Sequence, residues 1–188
     1  MSDKIRCFIA VEIPEEIKKE IDTYILSLKK IVPDIKWVKA SSIHVTLKFL
    51  GEIETTLCSE VKNVLTGIPN ISAPFDLKIS GSGVFPNVNR PRVFWLGLQQ
   101  DSNNSLTFIH KWIDKNLLTL GFESEKRKFS PHLTLGRVKF LQNLNQLFDY
   151  INNNKFEEKI FNISQIVLMQ SQLKPTGAIY TPLQFYSL

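Results

Sequence analysis

Ile43-His44-Val45-Thr46-Leu47-Lys48-Phe49-Leu50 reads as a β-strand, and a second copy of its core, His132-Leu133-Thr134-Leu135, follows about half of the 188-residue chain later. Side chains on a strand alternate between two faces. His44 and Thr46 therefore share one face, and Val45 and Leu47 the other. His132 and Thr134 separate from Leu133 and Leu135 in the same way. The aliphatic faces belong to a core, and the opposite faces each present an imidazole beside a hydroxyl. With ordinary composition, a histidine is followed by aliphatic-Thr-aliphatic roughly 0.5% of the time. The chain has 3 histidines and two of them carry the pattern. Coincidence at that level is on the order of one in ten thousand.

Similar elements surround each copy. Residues 5–13 alternate, with Cys7, Ile9, Val11 and Ile13 on one face and Arg6, Phe8, Ala10 and Glu12 on the other. Pro14, Glu15 and Glu16 suit the start of a helix. Its Ile17, Ile21, Tyr24, Ile25 and Leu28 recur at helical spacing before Pro33. A short strand at 35–38 leads into the first motif strand, which Gly51 is expected to stop. A helix then carries Leu57, Val61, Val64 and Leu65. Phe75, Leu77 and Ile79 alternate as a strand, Gly81-Ser82-Gly83 loosens the chain, and residues 85–91 read as a long loop. A strand at 92–98 and a helix starting at Ser102 precede the second motif, and Gly121 closes that helix. His110 lies beside the helix's apolar stripe and reads as structural. After the motif come a helix at 143–152 and strands at 159–163, 165–171 and 178–186.

This order predicts an α+β fold, one domain over residues 1–188 with two pseudo-symmetric lobes. Each lobe is an antiparallel sheet with outer helices. The two His/Thr pairs would meet in the cleft between the lobes, which becomes the expected active site.

A hydrophobic content of 43% with 22% charged residues is ordinary for a soluble globular protein. The net charge of +5 favours polyanionic partners such as nucleic acid. Cys7 and Cys58 form no disulfide framework, and Cys7, inside an apolar strand, reads as a buried reduced thiol. No secretory leader pattern and no run of 18 apolar residues is present. The expectation is a cytoplasmic monomer without a membrane segment.

Two histidines across a cleft suit phosphodiester cleavage. Attack by water needs one group to take a proton and another to give one to the leaving oxygen, each role worth about 10²–10⁴ in rate. Histidine titrates where both forms are accessible. The hydroxyls of Thr46 and Thr134 can donate to the non-bridging oxygens as charge develops there. A metal site would need a third or fourth ligand at usable spacing, and neither motif contains Asp or Glu. No metal and no cofactor is expected.

With these residues in view, the chain resembles the two-histidine phosphoesterase superfamily. Within it, the RNA 2′,3′-cyclic phosphodiesterases, once named 2′-5′ RNA ligases, are most similar. The resemblance also rests on Arg6-Cys7-Phe8-Ile9-Ala10-Val11-Glu12-Ile13-Pro14, on Gly83-Val84-Phe85-Pro86 and on Arg90-Pro91-Arg92-Val93-Phe94-Trp95-Leu96-Gly97. Pro131 to Arg137 and Tyr180-Thr181-Pro182-Leu183 complete it. It implies metal-independent hydrolysis of a terminal 2′,3′-cyclic phosphate to a 2′-phosphomonoester, on RNA ends or small nucleotides. It implies that His44 donates a proton to the leaving 3′-oxygen, that His132 accepts one from water, and that Arg137 holds phosphate. Arg137 would face away from His132 in a straight strand, and a bulge or strand end at Gly136 would resolve this. Phe8 is a candidate for stacking on a base. Trp37, Arg90 and Arg92 are candidates for RNA contact, and Lys48, on the face of His44 and Thr46, for phosphate contact. Two other functions use the same features: an RNA-end-binding module without turnover, and 2′-5′ ligation as a side activity.

Overall fold

The computed structural model describes residues 3–138, 144–175 and 177–188. The elements run β1 (Lys4–Glu12), α1 (Glu15–Ile31), β2 (Lys36–Trp37), β3 (His44–Glu54), α2 (Thr55–Leu65), β4 (Phe75–Phe85) and β5 (Val93–Gln100). They continue with α3 (Ser105–Leu117), β6 (His132–Arg137), α4 (Leu144–Asn153), β7 (Lys159–Ile163), β8 (Gln165–Lys174) and β9 (Gly177–Ser187). Two antiparallel sheets form, one ordered β3-β1-β8-β9 and the other β2-β6-β5-β4-β7. The α+β class and the two-sheet design agree with the pattern of the sequence. Asn143 and Thr176, included in an expected helix and an expected turn, lie outside the described residues.

The lobes are not the two halves of the chain. The C-terminal hairpin β8–β9 completes the first sheet, while β2, from the N-terminal half, crosses over to pair with β6. The helices cross as well. α2 and α3 lie against β1 and β3, whereas α1 lies along α4 and its Glu20 pairs with Lys159 of β7. Each lobe is thus covered by chain from both halves.

Val45, Leu47, Leu133 and Leu135 are all buried in one hydrophobic core that draws on both sheets. Each such side chain contributes about 1.5–3 kcal/mol by leaving water. A one-residue slip of either motif strand would expose them, so the core fixes the register. Beneath β1, Cys7 meets Cys58 of α2, and both are buried free thiols. Burial, with the neighbouring Cys58, pushes the Cys7 thiol up to about 12.

The expectation that Gly51 stops its strand fails, while the loosening expected at Gly81 takes the form of an irregularity within a continuing strand. Gly51 and Gly81 take left-handed backbone (φ 76° and 74°), yet both strands continue past them, to Glu54 and Phe85. Register shifts fall at both places, so these glycines bend a strand rather than end it. No helix among the described residues is long and apolar enough to cross a membrane.

Candidate active site

Both motif strands break period two at the same point. Along β1–β3, Glu12 faces His44, Val11 faces Val45 and Ala10 faces Thr46, but Ile9 then faces Lys48, leaving Leu47 as the extra residue. Along β5–β6, Gly97 faces His132, Leu96 faces Leu133 and Trp95 faces Thr134, but Phe94 then faces Gly136, leaving Leu135 extra. A bulge residue reverses the face of everything after it. Phe49 and Arg137, opposite Phe8 and Val93, therefore return to the His/Thr faces. Arg137 is exposed there, in a cross-strand row with Lys36 and Val93.

The two motif strands lie beside each other where the sheets join. A short crossover ties them: Val38 N–H donates to the carbonyl of Leu135 at 2.8 Å, and the chain then enters β3 at His44. Because the aliphatic faces of both strands enter one core, both His/Thr faces turn away from it.

Each imidazole is held alike. His44 Nδ1 lies 2.8 Å from the carbonyl of Ser42, and His132 Nδ1 lies 2.7 Å from the carbonyl of Ser130. A carbonyl only accepts, so each Nδ1 carries the proton and donates it. That fixes the tautomer and leaves Nε2 as the free nitrogen. Each ring is also walled by two aromatics. Around His44 these are Phe8 at 4.7 Å and Tyr180 at 5.1 Å, and around His132 they are Phe85 at 5.0 Å and Trp95 at 6.4 Å. Trp95 reaches across to β4 because Gly83 leaves room. A Cβ there would lie 2.5 Å from the indole.

Burial pushes His44 down to about 4, against the raising influence of the Ser42 carbonyl, and Lys18 of α1 lowers it further. The free protein therefore holds His44 neutral near pH 7. Among the described residues, no three His, Cys, Asp or Glu side chains gather as a metal-binding group would require.

Of the residues singled out in the sequence, His44, Thr46, His132, Thr134 and Arg137 lie on the two motif faces. Three others do not do what was expected. Lys48 points to the opposite side, because the bulge at Leu47 reverses it. It is 4% exposed, pairs with Asp114 of α3 and donates to the carbonyl of Glu123 at 2.9 Å. Phe8 does lie on the His44 face, but at 2% exposure it has no free ring face for a base and instead packs His44. Trp37 pairs across from Gly136 on the core side, donates to the carbonyl of Val32 at 3.1 Å and packs edge-on to Phe94. His110 is buried and stacked on Phe129, as a structural histidine should be. Sequence reasoning gave no role to Tyr180, Phe85 or Trp95, which arrive by strand pairing; their only signal was their place in the blocks that carry the resemblance. Ser42 and Ser130 did leave a signal, a serine two residues before each motif histidine.

Two sheets that each lend a His-x-Thr strand to a common join define a two-histidine phosphoesterase. The model of the LigT like Phosphoesterase family matches the chain twice, over residues 11–95 and 96–180, and the chain belongs to that family. It is 41% identical to the RNA 2′,3′-cyclic phosphodiesterase of Methanocaldococcus jannaschii, over 94% of this chain and 96% of that one. It is 35% identical to the protein of the same name from Aquifex aeolicus, over 94% and 90% of the two chains. The fold matches a crystal structure of Escherichia coli LigT complexed with 3′-AMP, with a TM-score of 0.79, 23% identity and 99% of both chains covered.

Proposed function

We propose that this protein hydrolyses terminal 2′,3′-cyclic phosphates of RNA or small nucleotides to 2′-phosphomonoesters. The observation that carries this reading is the duplicated His/Thr face, with each imidazole fixed through Nδ1 and each Nε2 left free. The names of the relatives agree with it. Water attacks phosphorus and gives a proton to His132 Nε2. The P–O3′ bond breaks, and the leaving 3′-oxygen takes a proton from His44 Nε2. One water is consumed, and the product carries a 2′-phosphomonoester and a 3′-hydroxyl. Thr46 and Thr134 donate to the non-bridging oxygens, and Arg137 adds a fixed cation on the same side. The protein's own residues supply every proton transfer in this scheme.

The donor role of His44 requires a proton that the free protein does not hold near pH 7. The bound phosphate supplies the reason to take it up, because a nearby anion favours the imidazolium. Turnover of a dinucleotide ending in 2′,3′-cyclic phosphate tests the proposal. Multiple turnovers are expected, whereas stoichiometric binding without product would make the protein an RNA-end binder.

A further inference from the structure

The two carbonyls that fix the motif histidines are themselves held differently. Ser42 ends a 3₁₀ turn, Ala40–Ser42, closed by backbone bonds from Ser42 N–H to Lys39 and from Ile43 N–H to Ala40. Ser130 lies in residues 122–131, which form neither helix nor strand. Among the described residues, no backbone-to-backbone hydrogen bond of the loops and turns involves residues 123–131. Yet the Ser130 carbonyl accepts from His132 Nδ1 at 2.7 Å, and that bond sets the tautomer of the ring.

Side chains of α3 hold this segment instead. At one end, Asp114 accepts from the Ser124 hydroxyl and from the Glu125 N–H, and its partner Lys48 donates to the carbonyl of Glu123. At the other end, the Phe129 ring lies on His110, with centroids 4.1 Å apart and planes 13° from parallel. His110 and Asp114 are one turn apart on the same face of the helix. Phe129 directly precedes Ser130, so the stack anchors the chain one residue from the carbonyl. His110 is 7% exposed, and its Nδ1 is buried with no hydrogen-bond partner. Burial, with Lys48 and Lys111 and against Asp114 and Glu125, holds its pKa below the ordinary value, so the ring is neutral near pH 7. A neutral, planar ring with that nitrogen left unbonded serves here through its face.

We infer that His110 is a positioning residue for His132: stacked on Phe129, it holds the Ser130 carbonyl against Nδ1 and so keeps the proton off Nε2. The inference rests on His132 as the base of the reaction above. With the carbonyl displaced, the proton is free to sit on Nε2 instead. An imidazole protonated at Nε2 cannot accept a proton from water there. His110 thus acts on the reaction only through Phe129 and Ser130.

The test replaces His110 by leucine, which fills the space without a planar face, and by phenylalanine, which keeps one. His110→Leu should lower kcat on a 2′,3′-cyclic mononucleotide by up to about 10²-fold, with KM little changed, because the phosphate contacts are untouched. His110→Phe should restore most of that loss. The ¹⁵N shifts of the ring nitrogens, read where the imidazoles are neutral, report the tautomer of His132, and His132→Ala assigns the resonances. Wild type and His110→Phe should show Nδ1 protonated, and His110→Leu a mixture with Nε2 protonated. Phe129→Leu removes the same stack from the other side, and the double variant should lose no more than the worse single one. If His110→Phe folds poorly by circular dichroism, the Phe129→Leu pair decides the question. Wild-type kcat in His110→Leu, or a loss of kcat with the His132 tautomer unchanged, overturns the positioning role and leaves His132 as the base. A folded His110→Phe protein as slow as His110→Leu overturns it too. Near-normal turnover in His132→Ala overturns the base assignment itself, and the inference falls with it.

Discussion

Binding a phosphodiester should change the protonation of His44. Burial holds its pKa at about 4 in the free protein. A single negative charge about 4 Å from the imidazolium, at an effective dielectric of about 20, stabilises it by roughly 4 kcal/mol. That is about 3 pH units, enough to bring His44 to roughly pH 7 in the complex. Between these two values the free imidazole is neutral and the bound one charged, so binding takes up one proton. The ring resonances of the 3 histidines can be followed by NMR titration, with His44→Ala giving the assignment. A deoxydinucleotide is a suitable ligand, because its phosphodiester stays singly charged throughout. In kinetics, kcat/KM reports the free protein and kcat the complex. The alkaline limb of kcat should therefore lie above that of kcat/KM. A free His44 that titrates at its ordinary value, or one that the ligand does not move, would refute this account of the donor.

Replacing either histidine, as His44→Ala or His132→Ala, should lower turnover by about 10²–10⁴ with the fold retained, as measured by steady-state kinetics and circular dichroism. Near-normal activity in either variant would remove that residue from the chemistry. Activity should persist in excess chelator, and loss on chelation with recovery on adding one metal would require a different mechanism. Lys48→Met should destabilise the protein by about 3 kcal/mol in denaturant unfolding, because it leaves the Asp114 carboxylate, 13% exposed, without its cation. An unchanged midpoint would show that the pair contributes nothing net.

The twin histidines, their threonines and the aliphatic faces behind them were legible because they obey a local rule, alternation along a strand. The amphipathic stripe of Ile17, Ile21, Ile25 and Leu28 was legible for the same kind of reason. What failed depends on pairing between distant strands. The bulge at Leu47 has no adjacent glycine or proline to mark it, so period two was carried one residue too far and placed Lys48 where Phe49 belongs. The bulge demanded by Arg137 was foreseeable only because the resemblance asked for an arginine there, and it falls at Leu135, next to the expected Gly136. That β2 joins the far sheet, and β8–β9 the near one, is set by burial of the whole core and not by either segment's pattern. Phe8 looked free because its covering neighbours, Tyr180 and His44, come from other strands.

The end group left on an oligonucleotide after reaction tests the central claim most directly. A trinucleotide ending in 2′,3′-cyclic phosphate is incubated with the protein, and the terminal nucleotide is identified by chromatography against both phosphate isomers. Cleavage of the P–O3′ bond, with His44 protonating the 3′-oxygen, predicts a terminal 2′-phosphomonoester and loss of that product in both histidine variants. A 3′-phosphomonoester, or a cyclic phosphate that survives incubation intact, would contradict it.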